Sequence, residues 1–205
     1  MQIALIHSGV AGTEQFYAGD SAHRYRCERI SAHWQPCFDD DDVVLVPNGA
    51  NHVALYEQRA ELHGFLARGG VVLCFCGFFT PWLPGNQWRH DIDRDLRQLR
   101  YHVVSDELGL FEGVEAEELC SDEHGIRGGW ACGDIQTQYA DNVVLADNYQ
   151  RRLLIADRRS TAGLIIATAS GPLGDDAPAA AAHGARRLYR NILRACRVHR
   201  EAQYG

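Results

Sequence analysis

The chain has 205 residues, 46 % of them hydrophobic, enough to bury one full core, and a single domain over 1–205 is the economical reading. Its formal net charge of -7 offers no basic footprint for nucleic acid or for an anionic membrane surface. All 20 of its Lys-plus-Arg residues are Arg, which excludes lysine Schiff-base chemistry and a Walker-type phosphate lysine.

The apolar run Gln2 to His7 suits a first core strand, ending at Ser8-Gly9 and followed by a polar, Gly-bearing loop to Gly19. Residues 20 to 34 are predicted as a helix, with Asp20 or Ser21 as the N-cap. Asp39 to Asp42 is a run of adjacent acids whose carboxylates diverge, so a solvated loop is expected rather than a metal site.

Residues 43 to 77, VVLVPNGANHVALYEQRAELHGFLARGGVVLCFCG, organise the rest. Val43 to Pro47 is a buried strand and Asn48-Gly49 a turn. The helix that follows puts Leu55, Leu62, Phe65 and Leu66 on one side, with Glu57, Arg59, Glu61 and Arg68 elsewhere. Gly69-Gly70 caps that helix, because it precedes a strand and so is no phosphate loop, and a second buried strand ends on Cys76-Gly77. Two apolar runs around a helix make a right-handed βαβ unit, hence parallel strands with both faces covered.

Phe78 to His90 is rich in aromatics, Pro and Gly and is predicted as an ordered loop. Asp91 to Arg100 suits a short surface helix and Tyr101 to Val104 a strand. Residues 105 to 142 contain several Gly and acids, and the stretch from Gly125 to Gly133 suits loop or edge structure. Val143 to Asp147 and Leu153 to Asp157 make a hairpin around Asn148–Arg151. Leu164 to Ala169 is a further buried strand, Asp175 to Ala179 a turn-rich connector, and about 180 to 197 the clearest helix. Its stripe is Ala185, Leu188, Tyr189, Ile192, Leu193 and Cys196.

The 7 Cys are odd in number and show no paired spacing. The chain opens on a strand-like segment, with no charged leader and no apolar run near membrane-spanning length. A reducing cytoplasm is therefore expected, with Cys27, Cys37, Cys120 and Cys196 as small buried hydrophobes.

The order strand, PNGANH, helix, Gly-Gly, strand, Cys-Gly resembles the core of class I glutamine amidotransferase-like domains. That superfamily includes PfpI-like peptidases, ThuA-like proteins and the trimerisation domain of some β-galactosidases. The stretch from Ala162 to Ala169 and the following Arg-Arg-Leu-Tyr-Arg-Asn-Ile-Leu are most similar to the ThuA-like and β-galactosidase branches. The resemblance implies a flavodoxin-like three-layer αβα sandwich with a mainly parallel sheet, and self-association. Ligands in such sheets bind outside the carboxyl ends of the strands. That gathers His7, Ser8 and Gly9 after the first strand, Asn48 to His52 after the second, and Cys76, Gly77 and Phe78 after the third, roofed by the Trp82–His90 loop.

Within that frame Cys76 is the candidate nucleophile, a thiol at a strand-to-helix turn, with Asn48 and Gly49 offering backbone N–H groups to an oxyanion. The chain departs from the family pattern at Phe78 (a small residue is usual), at Asn48 (Gly is usual), and at Ser170-Gly171-Pro172 (His-x-Glu is usual). Gly77 stands where the PfpI-like branch has His. A base must then come from His52, His90, His102 or His124. Two readings stay open: a module binding a small polar ligand without the standard triad, or a cysteine-dependent hydrolase or lyase with Cys76 as nucleophile and His90 or His124 as base.

Ser8, Asn48, Gly49, His52, Gly77, Phe78, Trp82 and Arg127 are the expected ligand contacts, Arg127 as an anion clamp on a Gly-rich loop. Trp82, Trp88 and Trp130, with Phe78 and Phe79, either line a pocket or anchor long loops to the core. The 10 His include no metal-ligand spacing, so neither metal nor cofactor is expected. The expected partner is a small molecule, with neither nucleic acid nor membrane.

Overall fold

The structure is a computed structural model and describes residues 1–18, 23–91, 93–120, 130–171, 173 and 182–204. Its frame is a mixed sheet of eight strands. Five of them are parallel: β1 (Gln2–His7), β2 (Arg24–Arg29), β3 (Val43–Val46), β4 (Val71–Phe75) and β10 (Leu164–Thr168). They lie in the order β2-β1-β3-β4-β10, and three antiparallel strands complete the sheet, β9 (Arg152–Asp157), β8 (Val143–Asp147) and β6 (Tyr101–Val103).

The sequence dictates the centre of this sheet. VVLV in β3, VVLCF in β4 and LIIAT in β10 are buried at every position. Continuous apolar strands of this kind need cover on both faces, and each large side chain removed from water contributes about 1.5–3 kcal/mol. The register sets Val46 opposite Cys74, so the tips that follow, Asn48 and Cys76, end side by side on one edge.

The expected single helix between β3 and β4 is two helices, α2 (His52–Glu57) and α3 (Arg59–Ala67), meeting at Gln58. Leu55, Leu62, Phe65 and Leu66 are all buried. Gly69 takes φ 83° and the Gly70 N–H bonds the Phe65 carbonyl at 3.0 Å, a helix stop that turns the chain into β4. The closing helix α4 (Ala182–Tyr204) buries the whole stripe read from the sequence, and its Tyr189 ring meets Phe75 of β4 and Tyr17 of α1 (Thr13–Ala18).

Further expectations are corrected. Within 20–34 the described residues form no helix: Arg24 to Arg29 are β2, paired with β1 from Gln2↔Arg24 to His7↔Arg29. Its charge reflects an edge position, where polar side chains are tolerated and discourage further pairing. Asp41 is no solvated acid but buried and ion-paired with Arg26 of β2. Cys27 and Cys37 are exposed, while Cys120 and Cys196 are buried. Finally, the Phe78–His90 stretch ends in a strand, β5 (Asn86–His90), which pairs antiparallel with β7 (Gly133–Thr137) as a separate ribbon. Asp175 to Ala179 lie outside the described residues. Among the described residues no helix is long and apolar enough to cross a membrane.

Candidate functional site

The C-terminal edge of the parallel strands is built from four loops. Pro47 closes β3, and Gly49 turns the chain at φ 83°. Asn51 then caps α2, its side-chain oxygen accepting the Val53 and Ala54 N–H groups at 3.1 and 3.2 Å. The Ser8 hydroxyl oxygen accepts the Asn51 N–H at 2.7 Å, tying the tip of β1 to the start of that helix. At β10 a methyl group on Gly171 would meet the Asn48 side-chain oxygen at 3.2 Å and the Phe75 Cβ at 3.0 Å, so these tips approach closely.

Between the first two loops lies a cavity of about 330 Å³, lined by residues 10–13, Phe16 and Tyr17 on one side and Pro47 and Asn48 on the other. It sits where the chain reverses its direction of travel through the sheet: β2 lies on one side of β1, and β3 and β4 on the other. Loops leaving two such neighbouring strands toward opposite faces open a crevice. The lining is half apolar, with the Thr13 hydroxyl and the Asn48 amide as neutral polar groups. The Tyr17 hydroxyl is already engaged with the Leu173 carbonyl at 3.2 Å.

Cys76 follows β4 and has φ 58°, a left-handed conformation that costs a non-glycine residue about 1–3 kcal/mol. Its N–H continues the sheet by bonding the Thr168 carbonyl at 2.9 Å, and Gly77 is left-handed too, at φ 76°. The expected strand-to-helix turn is corrected here. Residues 78–85 are a loop leading to β5, so no helix follows this thiol.

The partner of Cys76 is Cys132, with 3.2 Å between the two sulfurs. The ribbon delivers it: Cys132 immediately precedes β7, and its N–H bonds the Ala169 carbonyl at 3.1 Å. Giving its hydrogen bond to Cys132 pushes the Cys76 thiol up, and burial adds to this. Cys132 is lowered to about 7, chiefly by accepting that bond, with smaller help from its own N–H and from Arg151, against the effect of burial. Arg151 is itself buried, bonded to Asp147 at 2.7 Å and to the Asp91 carbonyl.

His52, the first residue of α2, is buried, and burial lowers it to about 4. Its Nδ1 accepts the Trp82 indole N–H at 3.0 Å, and its carbonyl accepts the Thr80 hydroxyl at 2.7 Å. A neutral imidazole with Nδ1 as acceptor carries its proton on Nε2. That Nε2–H lies 3.2 Å from where a Cβ on Gly77 would stand, so His52 offers the Cys76–Gly77 turn a donor and not a base.

The other sequence candidates scatter. Phe78 and Trp82 are fully buried, so their rings anchor the loop instead of lining a pocket. His90 is exposed on β5, beside the Trp88 ring and opposite Gly133. His102 lies on β6, four strands from β4 and hence about 19 Å away across the sheet. His124 and Arg127 lie outside the described residues. Among the described residues no group of three or more His, Cys, Asp or Glu is arranged to hold a metal. The sequence marks Cys132 only by its place beside Gly133 in a segment suited to loop or edge structure, and no spacing ties it to a thiol 56 residues away.

Comparison of the chain with family models, with curated proteins and with solved structures gives no match.

Proposed function

We propose that this chain is a glutamine amidotransferase-like α/β domain with a flavodoxin-like three-layer core, of the ThuA-like or β-galactosidase-associated kind. It binds a small polar ligand at the C-terminal ends of its parallel strands and works without the Cys-His-Glu triad. One observation carries this reading: the cavity of about 330 Å³ opens in the crevice between β1 and β3. The parallel strand order β2-β1-β3-β4-β10 supports it, because in a doubly wound sheet of that order the switch point falls between the first and third strands. The neutral polar lining favours an uncharged ligand with one apolar face, such as a sugar or a primary amide.

The left-handed Cys76 supports a second reading, a hydrolase or lyase with Cys76 as nucleophile. Against it stand the raised thiol and a neighbouring His52 whose acceptor nitrogen, Nδ1, is already taken by the Trp82 indole N–H.

Thermal-shift titration with neutral aldoses and with small primary amides tests the first reading. At least one class should raise the melting temperature, and Asn48→Leu should abolish that rise. A panel without effect, or a rise that survives Asn48→Leu, overturns it. The second reading requires Cys76 to be the first thiol alkylated by iodoacetamide.

A further inference from the structure

We propose that Cys76 and Cys132 form a redox-active dithiol that exchanges with low-molecular-weight disulfides and closes into an intramolecular disulfide. The proposal is independent of the ligand cavity and assigns this edge of the sheet a second chemistry.

The geometry is fixed by the backbone. The Cys76 and Cys132 N–H groups bond the carbonyls of Thr168 and Ala169, successive residues at the end of β10. Two segments far apart in sequence are thereby pinned to adjacent rungs, with their sulfurs 3.2 Å apart. A disulfide needs about 2.05 Å, so closure asks for the sulfurs to approach by about 1.2 Å. Both thiols are half-buried, whereas Cys74, Cys120 and Cys196 are sealed in the core.

The electrostatics divide the labour. The Cys132 sulfur lies 3.2 Å from that of Cys76 and 3.4 Å from the Ala169 carbonyl oxygen, and the Arg151 guanidinium favours its charged form; Asp147 is paired with that guanidinium, and His90 lies across the ribbon beside Gly133. An attacking thiol whose pKa matches the surrounding pH exchanges fastest, since a lower one loses nucleophilicity and a higher one loses thiolate. Cys132 therefore attacks one sulfur of R–S–S–R. A Cys132–S–S–R bond forms, the original S–S bond breaks, and RS⁻ leaves. Cys132 is then an uncharged disulfide sulfur, so the main influence holding the proton on Cys76 is gone. The Cys76 proton passes to the departed RS⁻, the Cys76 thiolate attacks Cys132 Sγ, and a second RS⁻ leaves and takes from solvent the proton that Cys132 released to it on ionising. Two protein thiols have been oxidised by two electrons and one small disulfide reduced to two thiols.

The test treats the full-length chain with oxidised glutathione near pH 7, quenches with acid, and maps peptides without reduction. The expected product joins the peptides containing Cys76 and Cys132. Cys76→Ser should halt at a glutathione adduct on Cys132, and Cys132→Ser should leave Cys76 unmodified. Circular dichroism of each variant verifies folding. In the unsubstituted chain, alkylation of Cys132 should rise with a midpoint near 7 and run about threefold faster at neutral pH than for a thiol of ordinary pKa. Adducts confined to the exposed Cys27 and Cys37, or a Cys76 that reacts unaided in Cys132→Ser, would overturn the proposal. Since neither readout involves the cavity, the dithiol can fail while ligand binding stands, and the reverse.

Discussion

Trp82 donates its indole N–H to His52 Nδ1 at 3.0 Å, with the two rings nearly parallel at 22° and both side chains buried. This one bond decides what the histidine beside the Cys76–Gly77 turn can do. With Nδ1 occupied as acceptor, the proton sits on Nε2, and the ring is a neutral donor at physiological pH.

Burial holds His52 at about 4, against 6.5 for a free histidine. The unfolded chain therefore binds this proton more tightly than the folded one, so stability rises with pH across that window and is lost as pH falls through it. The full swing is worth about 3 kcal/mol. Urea denaturation at a series of pH values should show this slope. His199 is also lowered by burial and by Arg200 and Arg158, and it contributes in the same direction. His52→Gln should remove the His52 share and leave the rest.

Replacing Trp82 by Phe keeps a ring in the core but strips Nδ1 of its donor. A buried acceptor left unsatisfied costs about 1–3 kcal/mol, with a further loss for the smaller ring. With Nδ1 open to a proton, the titration of His52 followed by imidazole NMR should move upward. Unchanged stability together with an unchanged midpoint would mean that the bond plays no part in fixing the tautomer.

The left-handed backbone at Cys76 makes a prediction that separates strain from chemistry. Cys76→Ala and Cys76→Gly both remove the thiol, but only Gly adopts φ 58° freely. Cys76→Gly should be more stable than Cys76→Ala by about 1 kcal/mol in equilibrium unfolding, the reverse of the usual order of these residues. A more stable Ala variant would show the turn relaxing once the sulfur is gone.

The legible parts of this chain were those in which apolar residues outnumber everything else. VVLV, VVLCF and LIIAT admit only a buried strand, and from them the parallel pair and the shared edge at Asn48 and Cys76 follow. The stripe on α4 was equally plain. β2 was illegible because its pairing with β1 is made by the backbone, and its side chains RYRCER match an edge strand and a surface helix equally well. Within the site, Cys76 stood out by following a buried strand. Its partner did not, since the Cys76–Cys132 contact depends on the β5–β7 ribbon, a long-range pairing with no local sequence signal. Trp82 was visible as a large ring, but only the structure distinguishes a core anchor bonded to His52 from a pocket wall.

Amide chemical-shift mapping during titration with the aldose or primary amide that stabilises the chain most locates the bound ligand. With the ligand in the crevice between β1 and β3, shifts concentrate in residues 9–13 and 48–51, with smaller ones at Cys76 and Gly77. A second cavity, of about 410 Å³, is lined by Gly113, Glu118, Arg186, Arg187 and Arg190 and lies elsewhere on the molecule. Shifts gathered there, with the tips of β1 and β3 silent, would rule out the crevice as the ligand site.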